Sequence, residues 1–126
     1  IAKQHGSSRL TLGMKNLMGT INSAQTFHIN LHQRIADLAS RVRPTLTIID
    51  AIRILTANGP TGGDLKDVKQ LDTVIAGTDI VAVDSYATWL FGLKPEDVPH
   101  IKIAAAMGLG SSSMDGLIIK EASGAG

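Results

Sequence analysis

"TLTIIDAI", residues 45–52, decides the class of this fold. The run is β-branched and nearly all apolar, with one carboxylate, Asp50, near its end. A strand apolar on both faces belongs in the middle of a parallel sheet. A second run of this kind, "DTVIAG" at 72–77, gives another strand. Ahead of both, Leu31, Ile35, Leu38 and Val42 recur at helical spacing. Asn30 followed by Gln33 has the form of a capping box at the start of that helix. Arg41 and Arg43 suit the negative end of its dipole, and Pro44 stops it. After the second strand, Asp79 is positioned to cap a helix whose buried stripe is Ile80, Val83, Ala87 and Leu90, closed by Gly92. Pro95 opens a short helical turn, and His100 to Met107 reads as a further helix.

The ends follow from this frame. Residues 1–6 read as the end of an extended segment. Arg9 to Ile21 reads as a helix, capped by Ser7 or Ser8, weakened by Gly13 and ended by Gly19. "GLGSSSMDG" at 108–116 is a loop, "LIIKEA" at 117–122 a last strand, and the tail "SGAG" frays. Alternating strands and helices predict a single α/β domain over residues 1–126, with a largely parallel or mixed sheet flanked by helices. The first residue is Ile1 and not Met, so the chain reads as a piece of a longer protein.

Composition narrows the chemistry. The chain has 126 residues, 44% of them apolar, which suffices for a packed core and excludes disorder. It has no cysteine, so it supplies no disulfide, no thiolate nucleophile and no iron–sulfur ligand. The aromatic residues are Phe27, Tyr86, Trp89 and Phe91 alone, too few for a platform on which nucleic-acid bases stack. No apolar run has the length of a membrane span. Net charge is +1, yet residues 1–53 carry +5 and residues 54–126 carry −4. The two halves either attract each other in the fold or leave an anion-facing surface on the first.

Several groups are candidates for a site. Lys3 and His5 alternate by two, so on a strand they share a face, where a cation beside an imidazole can hold an anion or keep the imidazole neutral. "ANGPTGGD", 57–64, lacks the lysine of a phosphate-binding P-loop and the order of a dinucleotide fingerprint. It is either a turn or, with Gly59, Gly62 and Gly63 allowing close backbone approach, a loop whose N–H groups line a site. Asp50 at a strand's carboxyl end lies where ligands bind in parallel sheets. Asp84 borders the core and wants a partner, which a Lys or Arg of the basic half can supply. His28 and His32 have metal-binding spacing on a helix, but a cap at Asn30 leaves His28 outside it.

The stretches "KQHGSSRLTLGMKNLMG", "RPTLTIIDAI", "NGPTGG", "VIAGTDIVAVDSYAT" and "GLG" together resemble the bacterial and archaeal family catalogued as domain of unknown function 362. The resemblance runs over nearly the whole chain and assigns the family's pattern to Lys3 and His5, to Lys15, Asn16 and Gly19, to Asp50, and to the loop from Asn58 to Gly63. It implies an association with ferredoxin-like iron–sulfur modules, whose 4Fe-4S cluster would be bound outside this chain. A fainter likeness to the nickel-pincer lactate racemase family implies that Lys15 is tied to an organic cofactor and that His28 or His32 is a metal ligand.

The expected function is a ligand- or cofactor-binding domain of a redox-associated protein. Lys3, His5 and Lys15 hold a small anionic group; Asn16, Asn58, Gly59, Thr61, Gly62 and Gly63 orient it; Lys15, His32 and Asp50 are the candidates for catalysis. No nucleic acid and no membrane span are expected. The alternative is an interaction module that docks a redox partner or another copy of the chain.

Overall fold

The structure, a computed structural model, describes residues 1–124. Its sheet has four strands in the order β2-β1-β3-β4: β1 (Lys3–His5), β2 (Arg9–Thr11), β3 (Thr47–Leu55) and β4 (Val68–Gly77). Four α-helices accompany it: α1 (Gly13–Asn16), α2 (Leu31–Val42), α3 (Ile80–Thr88) and α4 (Pro99–Ala106). The class is α/β, and the sheet is mixed. β1 runs parallel to β3 but antiparallel to β2, and β3 runs antiparallel to β4.

β3 is central, as "TLTIIDAI" suggests, but it is not buried on both faces. Thr47, Ile49, Ala51 and Ile54 are buried, while Ile48 and Ile52 are 63% and 47% exposed. The antiparallel pairing with β4 explains this, because antiparallel sheets tolerate one open face. Strand β3 also continues to Leu55, so Asp50 sits in its middle and not at its carboxyl end.

Helix α2 occupies the range its periodicity predicts, with Leu31, Ile35, Ala36 and Ala39 buried. Its start differs from a capping box. Asn30 takes a left-handed conformation (φ 55°) with no side-chain cap bond, and Gln33 donates to Asp37 instead. The helix ends at Val42, before Pro44, with Arg43 left-handed. Asp79 caps α3 as expected, accepting from Ala82 N at 2.9 Å; its other oxygen accepts from Ser111 N at 2.9 Å and ties down the following loop. Ile80, Val83 and Ala87 of the predicted stripe are buried, and Gly92 closes the segment at φ 68°.

Two expectations about the ends are corrected. Arg9 to Ile21 is not one helix. Its first residues form β2, which pairs with β1 through a tight turn and buries Leu10 while Arg9 adopts φ 68°. Only the four residues Gly13–Asn16 are α-helical, followed by a 3-10 turn at Leu17–Thr20. The alternation of Leu10 and Leu12, both buried, prevailed over the helical spacing because a strand partner was available at β1. Ser7 and Ser8 lie in that turn and cap no helix. Residues 117–122 form no strand, and Ile118 is 88% exposed. The expected fraying of 123–126 falls partly on residues outside the described ones.

The core lies between the sheet and the helices, centred on Met14, Ile35, Ala51, Ile54, Val81, Ile101 and Ala104. Burying the larger of these side chains contributes about 1.5–3 kcal/mol each. Helix α2 packs against α4, and α3 lies across β3 and β4. Helix α1 packs against both α2 and α3. The starts of α2 and α4 meet through His32 and His100, and α2 in turn packs against α1.

Candidate functional site

The site is built on β1 and α1. Lys3 and His5 project from the same face of β1, as strand alternation requires. Lys15 lies on α1, at the level where the chain leaves β2. The charges of Lys15, Lys3 and His28 all act on His5, and the charge of Lys3 acts on Lys15. The structure thus gathers Lys3, His5 and Lys15, and adds His28 from the 3-10 turn Ala24–His28. His32, in the first turn of α2, and His100, in the first turn of α4, complete the group. Their Nδ1 atoms are 3.2 Å apart, and Lys15 bears on His100.

Every charge that acts on His5, Lys15 and His100 belongs to another base. Burial, then Lys15, Lys3 and His28, lower the pKa of His5. Burial and Lys3 lower that of Lys15, and burial lowers that of His32. His100 is fully buried; burial, His32 and Lys15 push it down to about 3. The imidazoles of His5, His32 and His100 are therefore neutral at pH 7. Backbone contacts fix the tautomer of His5: Ser7 N and Ser8 N donate to its Nδ1 at 3.2 and 3.3 Å, so the proton sits on Nε2.

The short helix bearing Lys15 is anchored from the core. The Asp84 carboxylate accepts from Gly13 N at 2.7 Å and from Met14 N at 2.9 Å. Its partner is thus backbone, not the Lys or Arg expected from sequence. Asp84 is fully buried, and burial raises its pKa to about 7 against the opposing effect of the two N–H donors. Gly13 fits tightly here: a Cβ would come 2.7 Å from Thr47 Cγ2 and 2.8 Å from Asp84 Oδ1.

The other candidate residues lie elsewhere. The glycine loop packs against β1 through Gln4, whose Oε1 accepts from Gly59 N at 2.9 Å. Gln4 alternates with Lys3 and His5, so the loop meets the strand on its opposite face. A Cβ on Gly59 would collide with the Gln4 carbonyl oxygen. Asn58 donates to Asp67 at 3.0 Å, and the same carboxylate oxygen accepts from Asp64 N. These bonds hold Asp67 below the usual carboxylate range. The loop is thus built from internal bonds, with Thr61, Gly62 and Gly63 exposed beyond them. Asn16 and Asp50 share a separate cleft of about 110 Å³ with Ile1, Thr11 and Gly13. Asp50 accepts from Ile52 N at 3.0 Å and is absent from the charges acting on His5, Lys15 and His100. Sequence reasoning took His100 only as the start of a helix. The available signal was its helical spacing with Ala104, which places an imidazole on the apolar stripe.

No group of three or more His, Asp or Glu side chains suited to a metal ion occurs among the described residues. No helix among them is long and apolar enough to cross a membrane.

Over residues 1–89 the sequence matches the family described as Domain of unknown function (DUF362). The chain belongs to this family. The matched segment runs from β1 through α3 and contains Lys3, His5, Lys15, His28, His32 and Asp84, whereas His100 lies beyond it. This member of the DUF362 family is 26% identical, over 122 residues, to a thylakoid-associated protein of Synechocystis sp.. That alignment covers 90% of the chain and 37% of the relative, so the chain spans little more than a third of the relative's length. No solved structure matches.

Proposed function

We propose that this DUF362 domain binds a small oxyanion, a carboxylate or phosphate group, at the cluster formed by Lys3, His5 and Lys15 with His28 and His32. One observation carries the reading: Lys3 and His5 share a face of β1, the charges of Lys15, Lys3 and His28 act on His5 with no carboxylate of the described residues among them, and His32 is linked to this group through His100, on which both it and Lys15 act. Bases that lower one another's pKa are held together at a cost. A bound anion reverses the sign of that interaction, and charge-assisted hydrogen bonds are the stronger kind. Lys15 supplies the half-buried charge and Lys3 the second, while the neutral imidazoles of His5 and His32 provide donors. Asp84 and Gly13 hold Lys15 in place from below.

Titration calorimetry with inorganic phosphate and with succinate tests this. The expected result is saturable binding that Lys15→Ala weakens about 10-fold or more, the value of one charge-assisted bond, with an unchanged unfolding temperature. Absence of binding by the unaltered protein, or equal affinity in Lys15→Ala, refutes it.

A further inference from the structure

The contact between His32 and His100 has a specific geometry. The rings lie 14° from parallel with centroids 5.5 Å apart, yet their Nδ1 atoms are 3.2 Å apart. A centroid separation so much larger than the nitrogen separation puts both nitrogens toward the line between the ring centres. The rings therefore meet edge to edge, as an N–H···N hydrogen bond requires, and not face to face. One Nδ1 carries the proton and the other accepts it.

Which one is decided at the far side of His100. Its Nε2 is buried and has no hydrogen-bond partner. If His32 donates, the His100 proton must sit on Nε2 as a buried N–H with nothing to receive it. If His100 donates from Nδ1, its Nε2 is an unpaired acceptor. Among buried backbone groups, orphaned N–H donors are rarer than under-satisfied carbonyls, and the same order favours His100 donating from Nδ1. The second arrangement leaves the His32 proton on Nε2, the same tautomer that Ser7 and Ser8 impose on His5.

We infer that His100 is a positioning residue: from the core it donates Nδ1–H to His32 Nδ1, and so fixes His32, like His5, as a neutral Nε2–H donor for the bound oxyanion. The inference rests on the anion-binding reading for its use, but the tautomer is a property of the unliganded protein. The site then takes an oxyanion with several acceptor oxygens, because the lysines and both imidazoles all offer protons and none offers a lone pair.

The test is nitrogen NMR of the histidine rings in the unliganded protein, together with His100→Phe and His100→Asn, the latter keeping a donor near Nδ1. Expected are a protonated Nε2 and bare Nδ1 on His32 in the unaltered protein and in His100→Asn. His100→Phe should mix the tautomers and weaken phosphate binding about 5-fold, the value of one neutral hydrogen bond. A proton on His32 Nδ1 in the unaltered protein overturns the inference even if neither variant folds. An undisturbed Nε2–H tautomer in folded His100→Phe overturns it equally. Either result leaves the effect of Lys15→Ala on phosphate binding as a separate measurement, so failure of this inference and failure of the anion site are distinguishable.

Discussion

Replacing Asp84 by asparagine changes how stability depends on pH, by an amount that follows from its surroundings. The carboxyl is fully buried, faces two backbone N–H groups and has no cation acting on it. Its pKa is raised from 3.8 to about 7 on folding. The folded state therefore binds a proton more tightly than the unfolded chain. The stabilisation is fully present below pH 3.8 and is lost as the pH rises through about 7. At about 1.4 kcal/mol per unit, the whole loss is about 4 kcal/mol, of which about 2 kcal/mol falls between about pH 5 and pH 7. The amide in Asp84→Asn cannot ionise, so the variant lacks this dependence. Its stability relative to the unaltered protein should rise by about 2 kcal/mol from about pH 5 to pH 7, and by only a few tenths more by about pH 8. Urea denaturation followed by far-ultraviolet circular dichroism measures this; Trp89, the one tryptophan, is 59% exposed and reports folding poorly. Taking the difference between the two proteins cancels every other titrating group. A difference that stays flat over this range, or moves the other way, refutes the reasoning. It would mean that the two N–H donors outweigh burial and keep the carboxylate charged.

Three further outcomes are expected. Gly13→Ala should destabilise by about 1–3 kcal/mol, the cost of overpacking, since its Cβ meets both Thr47 and Asp84; unfolding by urea measures it, and an unchanged midpoint counts against the crowding. Affinity for sulfate, an oxyanion that does not itself titrate near neutrality, should change little in calorimetry as the buffer is taken from mildly alkaline to neutral, because burial and, at His5, neighbouring bases lower the pKa of His5 and His32. It should fall earlier in alkali than an ordinary lysine would dictate, because the Lys15 pKa is lowered. A steep gain in affinity on acidification would instead mean that protonated imidazoles do the binding. Asp67→Ala should speed amide exchange and proteolysis across residues 57–66 without unfolding the sheet, since that carboxylate accepts from both Asn58 and Asp64; unchanged protection of the loop would show that other contacts hold it.

Much of the fold was legible because it rests on local signals. The helix at 31–42, the cap at Asp79, and the punctuation by Gly92 and Pro95 each concern residues within a few positions of one another, and each appears where the sequence puts it, although Val42 of the predicted stripe is exposed. What failed depended on partners far along the chain or across the sheet. Leu10 and Met14 fit both a strand and a helix, Leu12 only the strand, and the choice was made by β1 offering its edge. Ile48 and Ile52 look like core in the sequence but face outward, because antiparallel β4 supplied pairing without burying the second face. "LIIKEA" has the composition of a strand and pairs with none among the described residues.

The candidate site divides the same way. Lys3 and His5 share a face by strand alternation alone, which their spacing suffices to predict. That Lys15 joins them depends on Asp84, 71 positions from Gly13, reaching across the core to grip the turn before it. The stretches that carry the family resemblance, each weak alone, are joined here by side-chain-to-backbone bonds. Asp84 of "VIAGTDIVAVDSYAT" holds Gly13 and Met14 of the first stretch, and Gln4 of that stretch holds Gly59 of "NGPTGG". A peptide N–H leaves no mark on residue identity, so no reading of residue types finds its acceptor. The glycines mark the places instead: Gly13 and Gly59 are where a Cβ would strike the partner of the bond, Asp84 Oδ1 in one case and the Gln4 backbone in the other. The glycine loop is thus explained as the brace behind β1, and the proposed anion site lies on the strand's other face, where Lys3 and His5 point.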